Sequence, residues 1–592
     1  MAASESLSTQ RFFTVCATLC TLLAGSILVG CADDTAAVRA IQARRQEKLQ
    51  SENKQDHIGD TYQLLTSLVE LNREKANRQI VYHLNQWRQE RSVDVDKSVT
   101  PLIKTISEFL PAEQVQDNVQ NDAYLTSDID HLRDCYLFRK IVQWIDTEKN
   151  DDPLLKDWHA ETSKQLDESQ QDQLRTACRI FDWCMRNISY EPATAQPAPP
   201  QVPRPALEFG MELGGIGYRQ TDYQTIWRGT GDWLQRSGVF TQLCRQASVP
   251  AAILATQSTD TGELTPWCVG VLVGQEVYLF APQYGSFIPG PDQVGIATLK
   301  DARRDAAVTR RLGVAGFDEF AAPVTKDQIQ QNVALLNLSP EAISPRMRTL
   351  QSGLTGERRM QTFADADAEA TAWDDASGIA GVQLWKMPLL ADVYAEAMKV
   401  QTNREPLFAI WHLANWAILD GDADMSAKLS KARWLHMHGK FASNESENFE
   451  GATTLYMGQR APEFEIEDLQ FDVDLQKKWF RRELGLSPQQ YRQQLAQIQT
   501  MMKMGKRTAS YWLSLAQYDD GRIENANNWL TKRVLPKNQA SPWQPAARYN
   551  LARALELMGD PDKAIELYKT SGDPQEHGNR IRARLLAKSS SK

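Results

Sequence analysis

The chain carries eight cysteines and eight histidines, the residue types that most readily supply a nucleophile, a base or a metal ligand. Cys16, Cys20 and Cys31 lie in or at the end of an uncharged N-terminal run. Cys135, Cys178, Cys184, Cys244 and Cys268 remain for the rest of the chain. A catalytic thiol needs a neighbouring base or a helix N-terminus to become a thiolate. No histidine occurs between His159 and His412, so Cys178, Cys184, Cys244 and Cys268 have no base close in sequence. There is no Cys-x-x-Cys pair to suggest zinc, and an odd set of five is not a disulfide framework. His436-Met437-His438 sets two imidazoles at i,i+2, on different faces of a helix. The five cysteines therefore read as small buried apolar residues, and neither a metal nor a cofactor is expected.

The elements around these residues have a recognisable pattern. Residues 116–190 are expected to be helical, ending in IFDWCMRNISYEP, with Ala177, Ile180, Phe181, Cys184 and Ile188 on one stripe. Six prolines between 192 and 205 mark an extended segment. GDWLQRSGVFTQLCRQAS (231–248) predicts a helix, and AAILAT (251–256), WCVGVLV (267–273) and EVYLFA (276–281) predict strands. Gly274-Gln275 gives a tight hairpin between the last two. One helix should pack on a small antiparallel sheet. Residues 330–500 return to a helical pattern with dense tryptophan, and 364–377 reads as an acidic solvated loop.

Residues 170–300 resemble transglutaminase-like domains. IFDWCMRNISYEP is similar to the first helix of that family, RSGVFTQLCRQASVPAAILA to the nucleophile helix and its following strand, and TPWCVGVLVGQEVYLFAP to the two strands that carry the histidine and aspartate. The resemblance implies a papain-like core with a Cys-His-Asp triad in which a thiolate attacks an amide. Counting from Pro250, Trp267 and Pro282, the triad positions are occupied by Trp233, Thr265 and Ala281. None of these supplies the required chemistry, so the enzyme reading leans towards no. A Gly-rich approach, Arg228-Gly229-Thr230-Gly231-Asp232, opens the helix. Arg228, Asp232, Trp233, Thr265 and Trp267 are the candidates to line a peptide- or glycan-binding groove; the other reading makes Trp233 a plug in the old cleft. An amide hydrolase or acyl transferase with an unrecognised nucleophile is the alternative function.

Two further resemblances frame this segment. Phe12–Ala32 is uncharged and long enough for a transmembrane anchor or the apolar region of a secretory signal, and Leu28-Val29-Gly30-Cys31 resembles the bacterial lipobox, implying lipidation at Cys31 after removal of a signal peptide. Ala32 in the next position implies the outer membrane, facing the periplasm. At the other end, YWLSLAQYDDGRIENANNWL (511–530) and YNLARALELMGDPDKAIELY (549–568) repeat, matching Tyr511 to Tyr549, Ala516 to Ala554, Gly521 to Gly559 and Ala526 to Ala564. The second copy resembles a tetratricopeptide repeat. Lys532, Arg533, Arg548 and Arg553 there suggest attraction of an acidic partner segment.

The expected layout is a signal peptide (1–30), a helical stalk or hairpin (31–115), a transglutaminase-like domain (116–330), a Trp-rich helical region (331–504) and tetratricopeptide-like repeats (505–592). The fold class is mostly α with an α+β papain-like core. The arrangement resembles envelope proteins of planctomycete-type bacteria. With 592 residues, several domains are expected. A balance of 66 Lys+Arg against 75 Asp+Glu argues against nucleic acid as a partner, and a mean hydropathy of −0.47 against a multi-span membrane protein. The expected partners are the membrane, through the lipid, and other envelope proteins, through the C-terminal helices. The expected function is a non-catalytic scaffold or binding module.

Overall fold

A computed structural model describes residues 55–68, 73–91, 106, 112–147, 151–162, 164–192, 220–314, 324–391, 427–479, 486–536 and 541–590. The signal peptide, Cys31, most of the six-proline segment, and Trp411 and Trp416 lie outside the described residues. Among the described residues no helix is long and apolar enough to cross a membrane.

Two amphipathic helices, α1 (Ser127–Ile145) and α2 (Glu168–Asn187), open the core. A reciprocal cap starts α2: the Gln170 amide donates to Asp167 (2.9 Å) and the Asp167 amide to the Gln170 side chain (3.2 Å). The expected stripe is buried, with Ala177, Ile180, Cys184 and Ile188 fully enclosed. After β1 (Ser189–Tyr190) come α3 (Asp222–Arg228), β2 (Thr230–Gly231) and α4 (Trp233–Gln246), which carries Cys244. Strands β3 (Ala251–Gln257), β4 (Leu264–Val273) and β5 (Glu276–Ala281) follow as predicted, antiparallel, with Val273 opposite Glu276 across the Gly274-Gln275 turn.

The sheet is larger than the sequence suggests. Its order is β6-β5-β4-β3-β7-β8, where β6 is Ser286–Phe287, β7 Asn332–Leu336 and β8 Ile379–Leu384. The region 331–504, read as helical, thus gives two strands to the central sheet, β7 antiparallel to β3 and β8 parallel to β7. Both faces of β3 are covered, which explains its unbroken apolar run: Ala252 and Leu254 join the main core, whereas Ile253 and Ala255 meet Val333, Leu335 and Trp385 in a second cluster. The acidic stretch 364–377, read as a loop, contains the helix Ala366–Asp374, started by the Asp365 side chain accepting from the Ala368 amide.

The rest is helical: α5 (Ala427–Met437), α6 (Ala452–Gly458), α7 (Glu463–Asp468), α8 (Val473–Trp479), α9 (Pro488–Asp519), α10 (Ile523–Trp529), α11 (Gln544–Leu557), α12 (Pro561–Tyr568) and α13 (Glu576–Ser590). The repeat appears as two helical hairpins, α9–α10 and α11–α12. Gly521 and Gly559 turn them at φ 74° and 77°, the left-handed region that favours glycine. Ala516, Ala554, Ala526 and Ala564 are all fully buried where the helices meet. Residues Ile58–Lys592 form one compact unit. Within it the helices Tyr62 and Trp87 belong to pack on the body: Ile80 and Leu84 are enclosed, and Trp87 lies against Gly353.

Candidate functional site

Helix α4 begins with a second reciprocal cap. The Gln235 amide donates to Asp232 (2.9 Å), and the Asp232 amide donates to the Gln235 side chain (3.0 Å). Gln220 donates to the same Gln235 oxygen (3.0 Å) and accepts from Arg228 (2.6 Å). Two of the sequence-predicted groove residues, Arg228 and Asp232, are thereby tied into one polar chain at the start of α4. Trp233 occupies the first helical position and is half-buried.

The other predicted positions are held elsewhere. Trp267 is buried in β4, and its indole N–H donates to Asn332 of β7 (2.9 Å). Thr265 is exposed on β4, opposite Thr256. Ala281 is fully buried at the end of β5, opposite Ser286.

Sequence reasoning missed Arg236. One turn into α4 and almost fully buried, it donates to the Ile188 carbonyl (3.0 and 2.6 Å), to the Pro282 carbonyl next to Ala281 (3.2 Å), and to Gln575 (2.7 Å). Burial lowers its guanidinium to about 10. A cavity of about 20 Å³ beside it, lined by Tyr190, Tyr549, Asn550, Gln575 and Asn579, has room for a water molecule. The ground between α4 and the end of β5 is therefore filled from the C-terminal helices. Arg236 and Gln575 lie 339 residues apart, and no local pattern links them.

All five described cysteines are free and buried, and burial raises every thiol. Cys135 has a histidine at hand: its Sγ is 3.5 Å from Nε2 of His131, one turn earlier on α1. This pair was available in the i,i+4 spacing. The same Nε2 lies 2.8 Å from the Thr362 carbonyl, which fixes it as a donor there, and burial lowers the imidazole pKa. Nε2 is spent on that carbonyl, and Nδ1, the nitrogen left to accept a proton, stands 3.9 Å from the Cys135 Sγ, whose thiol burial keeps protonated. His436 and His438 separate as their spacing requires. His436 meets Asp519 (3.0 Å) and Tyr456 (3.3 Å), and His438 meets the Trp434 carbonyl (2.6 Å).

The strongest electrostatics join α2 to the C-terminal helices. Arg186 donates to Asp182 (2.7 Å) and to Asp519, which also accepts from Asn187 (3.1 Å). Arg553 reaches Asp182 (2.5 Å) and Glu556 (2.7 Å), and Arg582 bridges Glu556 (2.6 Å) and Asp152 (2.8 Å). Four carboxyls face three guanidiniums. At one end burial pushes Glu556 up to about 8 against the pull of Arg553 and raises Asp152 as well. At the other end the Arg186 charge outweighs burial and holds Asp519 below the usual carboxylate range. Arg553, expected to attract an acidic partner, is consumed in this chain, and Arg548 is paired with Asp573.

Compared with protein-family models, curated proteins and solved structures, the chain matches none.

Proposed function

We propose that the protein is a non-catalytic, lipid-anchored scaffold or binding module of the cell envelope, facing the periplasm from the outer membrane. It is built on a pseudo-transglutaminase core with tetratricopeptide-like helices that meet other envelope proteins. The observation that carries this reading is the state of the sulfur chemistry. Trp233 occupies the position the resemblance gives to the nucleophile, and each of the five described thiols is buried and pushed up by burial. The arrangement of α4 against the antiparallel strands β3, β4 and β5, and the equivalent hairpins α9–α10 and α11–α12, support the two family resemblances.

The alternative, an amide hydrolase or acyl transferase, draws on one observation, the 3.5 Å approach of His131 to Cys135. A thiol-reactive fluorophore separates the two. In the native soluble part, labelling of Cys135 is expected to be slow and to become rapid only in denaturant. Rapid native labelling that Cys135→Ser abolishes would restore the enzyme. The lipid anchor has its own measurement: metabolic incorporation of a fatty-acid probe is expected in the wild type and not in Cys31→Ser. Equal labelling of both would remove the lipoprotein from the reading.

A further inference from the structure

Helices α7 and α8 pack on the first half of α9 through a small core of their own, in which Ile466 and Leu469 meet Leu495, Ile498 and Met502, closed by Leu475, Trp479 and Tyr491. That core leaves three large apolar side chains outside: Phe464 is 62% exposed, Phe471 85% and Val473 60%. Spacing accounts for this. Ile466 and Leu469 turn inward, and the opposite side presents Phe464, Glu467, Asp468 and Phe471, the i, i+3, i+4 and i+7 positions of a helical face. The Phe471 amide donates to the Asp468 carbonyl (2.9 Å), which continues the turn so that Phe471 stays on that side. Met457 of α6 and Met504 of α9 are also exposed on adjoining helices.

The segment that carries these rings is acidic, with lysines on its flanks. Residues 461–475 contain Glu463, Glu465, Glu467, Asp468, Asp472 and Asp474 and no lysine or arginine. Glu463 pairs with Lys506 (2.5 Å), Glu465 with Lys478 (2.8 Å) and Asp474 with Lys477 (3.0 Å). Glu467, Asp468 and Asp472 are exposed, and none has an ion pair among the described residues. An anionic lipid surface would be repelled by these three carboxylates. A second copy of the chain, joined face to face, would set the same acids against each other.

We propose that the Phe464–Phe471 face is a docking surface for a basic amphipathic helix of a partner protein. Such a helix would lay its apolar stripe across the two phenylalanines and its flanking lysines or arginines against Glu467, Asp468 and Asp472. The surface belongs to the chain whatever anchors it, so this inference stands apart from the lipid reading.

Fluorescence anisotropy tests it, with a labelled amphipathic peptide of leucine and lysine at helical spacing as the probe and its leucine–glutamate counterpart as control. The lysine peptide is expected to bind, more weakly as salt rises, and the glutamate peptide not to bind. Phe464→Ser/Phe471→Ser should weaken the lysine peptide at least tenfold, and Glu467→Lys/Asp468→Lys should do the same without loss of the apolar residues. All four positions are exposed, and circular dichroism confirms that the variants remain folded. Unchanged affinity in either double variant, or equal binding of both peptides, would overturn the proposal. So would a concentration-dependent dimer, or binding to phosphatidylglycerol vesicles, that Phe464→Ser/Phe471→Ser abolishes. The first would assign the face to a second copy and the other to a membrane.

Discussion

Replacing Asp519 with alanine is expected to cost the fold about 3–5 kcal/mol, the usual penalty for removing one partner of a buried ion pair. The carboxylate is enclosed at the end of α9 and accepts from Arg186, Asn187 and His436, so the substitution takes one carboxylate from the buried Arg186. Against a total stability of roughly 5–15 kcal/mol this is a large fraction. Asp519→Asn keeps the shape and removes the charge, and should separate packing from Coulomb attraction. The pH dependence has a definite sign. Arg186 holds the folded carboxyl below its unfolded value, so the folded state binds fewer protons. This contribution is complete above the ordinary aspartate range and is lost as pH falls through the lowered folded value. Denaturant titrations should therefore show the wild type losing stability in acid more steeply than Asp519→Asn. Parallel acid limbs in the two proteins would mean that Asp519 is not charged in the native state.

Substituting Gly578 should be comparably severe. This residue lies one turn into α13 and faces the backbone after β5, where an added Cβ would stand 1.8 Å from the Tyr284 carbonyl oxygen. Backbone cannot step aside as a flexible side chain can, so Gly578→Ala must push α13 away from the sheet. The expected cost is about 3 kcal/mol, at the upper end of overpacking. Gly458, in the last turn of α6, has no atom within 4 Å of the same position, and Gly458→Ala should be neutral or slightly stabilising. Midpoints of chemical denaturation compare the two. If Gly578→Ala unfolds at the wild-type midpoint, α13 is not held against the sheet.

The segment from α4 to β5 was readable because local signals agree there. A cap, a helical stripe, β-branched runs and a glycine turn all point to the same elements. The repeat was readable for a related reason, since Gly521 and Gly559 mark the same left-handed turn twice. Strands β7 and β8 were hidden because five- and six-residue runs such as NVALL gain their identity only from pairing with β3 and with each other. Asp365 and its capped helix were missed because acidic composition was given more weight than N-cap chemistry. Among the site residues, Arg228 and Asp232 fall together as neighbours in sequence. Trp267 and Thr265 would share a face of a regular strand, but the register shifts between Leu254 and Ala255 and leaves Trp267 as the extra residue, so Trp267 is enclosed and Thr265 exposed. The basic residues of the repeat misled for a longer-range reason. Arg553 finds its carboxylates at Asp182 and Asp152, which nothing near residue 553 announces.

The bonds between Arg186 and Asp519, Arg236 and Gln575, Asp182 and Arg553, and Asp152 and Arg582 span 333, 339, 371 and 430 residues. A ribosome adds roughly 5–20 residues per second, so α2 and α4 wait for tens of seconds before the groups that neutralise and cover them have been made. During that interval Arg186 has Asp182 but not Asp519, Arg236 lacks Gln575, and the face that α13 will cover is open. The native state is thus sealed by helices made long after α2 and α4, and a nascent chain arrested before α13 should bind chaperones and be cut by proteases at α2 and α4, while a chain carried through α13 is protected.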